Sequence, residues 1–337
     1  MALAPEKELQ ARRLMAQGLA ASKARPNLTS PQDAVEHVLA LQGQTYKAGI
    51  RAIALRIENG QAVEKDPESA DELVHEAIAQ HDIVRAWPMR GTLHFMDARQ
   101  VRWLMALCSP RVERSAAGRR SALGFAEGDY ERARQVLYAH LLDLPTGEVL
   151  ERRDAYALFD SVGVDSAQGR GPHLMRALGG LGDVVQGSLA GHRETFQHVD
   201  RLKVAQREVA EEKAPAELGS RYLKGHGPVT VNDLAWWAGL TKRDCKKALE
   251  TAADSATITI GETEYFIPRW QLEVSDEEMD AALSRTFYLP AFDEYLLGYS
   301  DKSFTMADKI RHEVLTKNGI SWDFTVKNGV VVGRTQK

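Results

Sequence analysis

The sequence predicts a mainly helical α+β fold made of three tandem helix-turn-helix units and a β-rich C-terminal segment. The clearest unit has Thr230 as the cap of one helix, Gly239 as its end and Thr241 as the cap of a second helix. A β-hairpin around Gly261 follows, and this order of elements is that of a winged helix. Helices followed by a hairpin recur twice earlier in the chain, and an Asn-Gly turn signal lies near the C-terminus.

The first unit is predicted from a helix-start signal and two runs of strand-forming residues. Ser30 followed by Pro31 is typical of a helix N-terminus. Apolar residues from Val35 to Leu39 repeat at helical spacing, which gives this helix a core-facing stripe. The predicted elements are, in order, helices near 6–20, from Ser30 and near 47–57, and strands at 83–87 and 92–95 with a break at Pro88.

The remaining elements are predicted from the same kinds of signal. Each of the first two hairpins ends in an aspartate, Asp97 or Asp200, followed by a helix. Asn328-Gly329 marks the turn of a final two-stranded hairpin. The predicted helices lie near 130–142, 148–159, 172–181, 203–224, 230–237 and 242–252, and the predicted strands at 184–189, 195–199, 257–260, 264–267, 322–326 and 330–333.

These elements divide the chain into four segments. The segments are a first winged helix with a Gln-x-Gln motif and an arginine-rich stretch at 1–120, a second winged helix at 121–205, a third at 206–285, and the β-rich segment at 286–337. With 337 residues, 44% of them hydrophobic, the chain can bury a sizeable core. The sequence stops within or just after a predicted strand, where we expect further residues.

Composition argues against several classes of protein. No apolar run reaches about eighteen residues, so no membrane span is expected, and the first ten residues lack the apolar stretch of a signal peptide. The two cysteines, Cys108 and Cys245, have no metal-type spacing, which is typical of a protein from a reducing compartment. We therefore expect a cytoplasmic, nucleoid-associated protein without membrane partners.

The charges are unevenly distributed along the chain. A formal net charge of −4 does not indicate a uniformly basic DNA binder. Arginines are nevertheless concentrated between Arg85 and Arg120, whereas acidic residues collect at 208–212 and 276–280. This segregation favours one positive face on an acidic body. Ordinary solvated helix faces are the alternative.

Two basic stretches are candidates for contact with DNA. The second helix of the third unit would present a row of cations suited to phosphate contacts, namely Lys242, Arg243, Lys246 and Lys247. The first hairpin supplies Arg85, Arg90, Thr92 and His94, with Arg90-Gly91-Thr92 at the tip of the wing. The alternatives are a protein-interaction module for the third unit and a structural role for the lone histidine His94.

The tripeptide Gln42-Gly43-Gln44 is the candidate catalytic motif. Two neutral amides cannot perform strong acid–base chemistry, but they can hold a water molecule beside a developing cation. Both amides can face one cavity if the preceding helix stops near Leu41, with Gly43 as the breaker. They would then lie at the negative end of the helix dipole. The alternative is a helix end with two solvent-facing glutamines.

Other chemistries find no support in the sequence. Gly169-Arg170-Gly171 does not follow a predicted strand, so no dinucleotide fingerprint is present. No metal-binding motif or nucleophile motif occurs. We therefore expect no cofactor.

Four stretches, taken together, give the chain a family resemblance. They occur in order across nearly the whole sequence, at 41–44, 85–94, 231–240 and 289–299. They resemble the AlkZ/YcaQ-like family of tandem winged-helix DNA glycosylases. Gln44 places the chain nearer the AlkZ-like branch, because the YcaQ-like branch has aspartate at this position. The family usually has a larger apolar residue where this chain has Gly43.

The resemblance implies a basic channel of three winged helices, with Gln42 and Gln44 on its wall. It implies hydrolysis of the N-glycosidic bond of cationic N7- or N3-alkylated purines in duplex DNA, with bulky adducts or interstrand crosslinks also compatible. We expect a monomeric, monofunctional enzyme, since no lysine stands directly beside the glutamine pair. The competing interpretation is a non-catalytic winged-helix protein, either a transcription regulator or a damage binder.

Overall fold

The computed structural model describes residues 3–145, 147–316 and 319–335. The chain forms two compact units. The discontinuous unit comprises Met1–Val74 and Glu212–Lys337, and the central unit comprises His75–Glu211. Within the described ranges, no helix combines the length and apolar character needed to cross a bilayer.

The helices are mostly short and are joined by brief turns. In chain order they are α1 (Pro5–Ala16), α2 (Pro31–Val38), α3 (Tyr46–Ala54), α4 (Gln61–Lys65), α5 (Pro67–Ala79), α6 (Val101–Ala117), α7 (Asp129–Asp143), α8 (Arg152–Ser161), α9 (Arg170–Gly179), α10 (Ala214–His226), α11 (Val231–Ala238), α12 (Lys242–Glu250), α13 (Asp276–Ser284), α14 (Glu294–Leu297) and α15 (Asp308–Val314).

The strands belong to small antiparallel sheets. In chain order they are β1 (Leu41–Gln42), β2 (Ile83–Met89), β3 (Thr92–Asp97), β4 (Leu150–Glu151), β5 (Val184–Gln186), β6 (Thr195–His198), β7 (Ser255–Ile260), β8 (Thr263–Pro268), β9 (Thr286–Leu289), β10 (Phe324–Lys327) and β11 (Val330–Arg334).

The central unit is built around one antiparallel sheet. Its strand order β3-β2-β5-β6-β4 places the two predicted hairpins side by side, because Arg85 of β2 pairs with Gln186 of β5. Every residue of β2 is buried. Helices α6 and α9 pack on this strand and α7 packs on β6, so the sheet lies inside the unit.

The discontinuous unit contains the helix–turn–helix–hairpin predicted around Thr230. The Thr230 side chain accepts from the amide of Asp233, and the Asp233 carboxylate accepts from the amide of Thr230, which forms a capping box. Gly239 ends α11 in the left-handed conformation, with φ 71°, and Thr241 caps α12. Strands β7 and β8 form the hairpin from Ser255↔Pro268 to Ile260↔Thr263. These predictions are confirmed.

The predicted C-terminal hairpin is also confirmed, as β10 and β11. Both turn residues have positive φ, 50° at Asn328 and 74° at Gly329, as the Asn-Gly signal requires. Strand β9 joins the hairpin on the other edge of β10 and completes a three-stranded sheet. No sequence signal identified β9.

A network of buried polar side chains holds α14 in place within the discontinuous unit. Arg56 and Asp293 are both fully buried and form a two-pronged ion pair at 2.9 and 3.0 Å. The Glu294 carboxylate, 1% exposed as a residue, accepts from the indole N–H of Trp237 at 3.1 Å and lies 3.4 Å from Nε2 of His226. The run of residues around Asp293 therefore has a structural role.

Glycine is required at the end of this helix. A Cβ on Gly298 would lie 2.6 Å from His226 Cδ2 and 2.7 Å from the carbonyl oxygen of Glu294. The carbonyl of Gly298 in turn accepts from the Tyr222 hydroxyl at 2.6 Å. Close packing of α14 against α10 thus explains the glycine in the Leu-Leu-Gly-Tyr sequence.

Two predicted boundaries are wrong for identifiable reasons. Strand β2 runs through Pro88 to Met89, because a bulge between Ala86 and Met89 removes the need for a ladder amide at the proline. The helix predicted over 203–224 begins only at Ala214. The residues before it are held extended by backbone and side-chain bonds, such as Arg207 N–H to the carbonyl of Arg99.

Candidate functional site

The glutamine motif follows a helix that ends earlier than predicted. Helix α2 stops at Val38, and the residue in the left-handed region is Leu39, with φ 69°. Gln42 consequently lies on the short strand β1. The prediction that Gly43 breaks the helix near Leu41 is wrong, and so is the placement of both amides at the helix dipole. Residues two apart on a helix point to opposite sides. Because Gln42 and Gln44 do not lie on a helix, this geometry does not keep their two amides apart.

Gln42 is held inside the discontinuous unit. The residue is 9% exposed, and its side-chain Oε1 has no hydrogen-bond partner among the residues that the structure describes. A buried carbonyl left in this state costs about 1–3 kcal/mol, so its presence requires an explanation beyond stability. Gln44, by contrast, is exposed at the bend before α3.

The surroundings of Gln42 are firmly fixed. Helices α3 and α14 both contact β1. The Arg56–Asp293 ion pair precedes α14, and the Arg56 guanidinium also donates to Gln17 Oε1 at 2.7 Å. Because Arg56, Asp293 and Gln17 are buried and hydrogen-bonded to one another, the wall beside Gln42 has little freedom to rearrange.

The four candidate residues of the first hairpin form two pairs, one buried and one at the turn. Arg85 is 3% exposed, donates to Gln186 Oε1 at 2.7 Å and forms an ion pair with Glu194 at 2.5 Å. His94 is 1% exposed, with Nδ1 2.9 Å from the carbonyl of Thr92. Both side chains are therefore occupied inside the central unit, and their placement counts against direct contact with DNA.

The other pair lies at the wing turn. Arg90, with φ 55°, and Thr92 are half-buried, and the Thr92 hydroxyl donates to the carbonyl of Met89 at 3.1 Å. Trp87 is 7% exposed and packs against Gly179, where a Cβ would lie 2.3 Å from the indole ring. Trp87 is thus a core residue.

Helix α12 presents its four predicted cations to solvent. Its opposite face buries Cys245, Ala248 and Leu249. Gly219 of α10 allows the close approach, since a Cβ there would lie 2.2 Å from the carbonyl oxygen of Ala248. The exposed cations are Lys242, Arg243, Lys246 and Lys247, of which Lys246 is 3.7 Å from Glu250.

Sequence reasoning missed a second cationic site. His173 and Arg176 of α9 lie near Arg120 in the central unit, and each has a buried nitrogen without a hydrogen-bond partner in the described part of the chain. The high number of arginines between Arg85 and Arg120 indicated only the part of this site that includes Arg120. The contribution of α9 could not be read from spacing, because it comes from a helix far along the chain. No group of three or more potential metal ligands occurs among the described residues.

Comparison with known proteins identifies a family whose model matches this chain and a solved structure with a similar fold. The model of the family described as "DNA glycosylase AlkZ-like" matches residues 35–336. The solved structure of Streptomyces sahachiroi DNA glycosylase AlkZ superposes with a TM-score of 0.73 at 21% sequence identity, covering 100% of this chain and 88% of that chain. No curated protein sequence gives a significant match.

Proposed function

The chain belongs to the AlkZ-like family of DNA glycosylases, which are hydrolases, and on this premise we propose that it removes cationic N7- or N3-alkylated purines from duplex DNA. The observation that carries the proposal is the buried, unpartnered Oε1 of Gln42. An acceptor that has been desolvated and left without a donor suits a ligand that brings one, such as a water molecule. We assign the catalytic roles to Gln42 and Gln44.

The proposed mechanism relies on the positive charge of the leaving group. A purine alkylated at N7 or N3 carries a positive charge, so its departure needs no proton from the enzyme. Gln42 accepts a hydrogen bond from the attacking water and faces the oxocarbenium-like sugar. Gln44, being exposed, holds the deoxyribose and the water from the solvent side. True proton transfer is worth about 10²–10⁴-fold, so an amide should fail on uncharged bases.

DNA contact is proposed for the exposed face of α12 and for the turn of the first wing. The cations of α12 would contact phosphates without reading sequence. Arg90 and Thr92 lie where a wing meets a minor groove or a phosphate. The count of three winged helices and the division at residues 120, 205 and 285 remain part of this proposal, supported by the helix–hairpin order in each segment.

The proposed enzyme is monofunctional, so it leaves an abasic site, and it acts as a monomer in the cytoplasm, associated with the nucleoid. Cys108 and Cys245 are both buried and unoxidised, which suits a reducing compartment. Bulky adducts and interstrand crosslinks are included as candidate substrates, because leaving-group charge rather than a snug base pocket would provide selectivity.

The test uses duplex DNA containing 7-methylguanine. Gln42→Ala should abolish release of the free base, measured by mass analysis, while the Kd for DNA stays near that of the wild type. A parallel assay on crosslinked duplex separates crosslink unhooking from simple base release. If Gln42→Ala releases base at the wild-type rate, Gln42 has no part in the chemistry.

A further inference from the structure

Three arginines and a histidine lie together in the central unit, away from the glutamine motif in sequence. We define the α9 cluster as Arg119, Arg120, His173 and Arg176. His173 and Arg176 are one turn apart on α9, so they share a face of the helix. Arg119 and Arg120 follow the end of α6. Arg120 lies over the ring of Tyr130, whose hydroxyl donates to the carbonyl of Ala177 on α9 at 3.4 Å. All three arginines are close enough to lower the pKa of His173.

The wing turn lies directly beside this cluster. A Cβ on Gly91 would meet Arg176 at 3.7 Å, at both Cδ and Nη1, and Val112 at 3.0 Å. Gly91 has φ 72° and follows Arg90 at the tip of the β2–β3 hairpin. The α9 cluster therefore extends the positive surface that begins at the wing.

The cluster carries three guanidinium charges, and the carboxylate paired with it among the described residues is that of Glu113. Glu113 Oε1 accepts from Arg176 Nη1 at 2.6 Å, and Glu113 Oε2 is buried without a partner in the described residues. Burial, reinforced by Arg176, Arg120 and Arg119, lowers the pKa of His173 to about 4. Burial also raises the pKa of Tyr130 to about 12, so its hydroxyl adds no negative charge at neutral pH.

Hydrogen-bonding capacity in the cluster is left unused. Arg120 Nε, Arg176 Nη2 and His173 Nε2 are buried and lack partners within the described ranges. The face of the Arg120 guanidinium lies 4.0 Å from the Tyr130 ring centroid, which supports the cation but satisfies none of its N–H groups. Three such atoms within one cluster are unusual in a protein interior, where nearly all polar groups are paired.

We propose that the α9 cluster is a binding site for a DNA backbone phosphate, located beside the first wing. A phosphodiester brings acceptor oxygens to the unused guanidinium donors and a negative charge to the excess of cations. Neutral His173 can donate from Nε2 to the same group. This inference rests on the proposed duplex substrate, and it assigns DNA contacts to His173 and Arg176 of α9, which neither the sequence analysis nor the family comparison marked.

The test is the salt dependence of duplex binding by the full-length protein. Arg120→Gln removes one cation without unpairing Glu113. The matched control is Arg153→Gln, because Arg153 on α8 loses the same charge but has an 86% exposed side chain. Fluorescence anisotropy between about 50 and 200 mM salt should show a slope of log K against log salt that is shallower by about 0.9 for Arg120→Gln. At about 0.1 M salt this corresponds to about eightfold weaker binding.

The control variant should bind within about twofold of the wild type at every salt concentration. Equal slopes for Arg120→Gln and Arg153→Gln would overturn the proposal. Arg120→Lys retains the charge and should retain the wild-type slope. If Arg120→Gln fails to fold, Arg119→Gln replaces it, because Arg119 is an exposed member of the cluster, and its slope should also be shallower by about 0.9. A slope for Arg119→Gln equal to that of Arg153→Gln would then overturn the proposal.

A second readout separates this site from the catalytic proposal. With enzyme below saturation, Arg120→Gln should release 7-methylguanine more slowly in proportion to its weaker binding, whereas Arg153→Gln should release it at the wild-type rate. If the wild type releases no base, the alkylpurine proposal fails, and the anisotropy result still decides whether the phosphate site exists.

Discussion

Replacing Gln42 with methionine should make the protein more stable and nearly inactive. The Gln42 carbonyl is buried without a hydrogen bond to any residue that the structure describes, so an unbranched apolar side chain of similar length should recover about 1–3 kcal/mol in the free energy of unfolding. A cooperative unit of about 150–250 residues then melts about 2–4 °C higher for each kcal/mol. Differential scanning calorimetry of the free enzyme measures this shift.

The same variant should lose base release. Removing one positioned polar group from a transition state costs about 10²–10³-fold in rate, to be measured in single-turnover assays on 7-methylguanine duplex. Gln44→Met is the control for stability, because Gln44 is exposed and has no buried carbonyl to relieve. A lower melting temperature for Gln42→Met would refute the reasoning, since it would mean that Oε1 contributes to the fold.

Three further predictions concern buried residues of the discontinuous unit and the face of α12 proposed to contact DNA. Asp293→Asn should lower the free energy of unfolding by about 3–5 kcal/mol in urea titrations, because it leaves Arg56 charged, buried and poorly compensated. Burial lowers the pKa of His37 well below its usual value, so the unfolded chain binds a proton there that the folded chain does not. Stability should therefore fall as pH drops below about 6.5, and less so in His37→Gln. Lys247→Gln on α12 should make the salt slope of duplex binding shallower by about one unit for every sequence, whereas a sequence-selective loss would indicate base readout.

Local signals in the sequence identified the elements that depend on local chemistry. Thr230, Gly239 and Thr241 delimit α11 and α12 through caps and a left-handed turn, which need only a few neighbouring residues. Asn328-Gly329 sets its hairpin in the same way. The winged-helix order of the third segment could be predicted for this reason.

Tertiary packing decided the features that sequence reasoning misplaced. Leu39 is fully buried, and burying its side chain offsets the strain of its positive φ, so the helix ends where no glycine marks it. The Arg56–Asp293 ion pair joins residues 237 positions apart, and no local pattern reveals it. Arg85 was assigned to DNA from its charge, but Glu194, from a distant hairpin, neutralises it.

For the same reason, the candidate site could be predicted only in part from the sequence. The Gln-x-Gln tripeptide could be located from its neighbours and from the family resemblance. The difference between a buried Gln42 and an exposed Gln44 depends on the contacts of β1 with α3 and α14. The α9 cluster joins two residues of α9 to two arginines that follow α6, so charge counting along the sequence recovered half of it.

The most direct test of the central claim is mass analysis of bases released from 7-methylguanine duplex by the wild type and by Gln42→Ala. Our account predicts free 7-methylguanine and an abasic strand from the wild type, and neither product from the variant despite an unchanged Kd for DNA. A wild-type protein that leaves the methylated base in place, or a variant that releases it equally fast, would contradict the account.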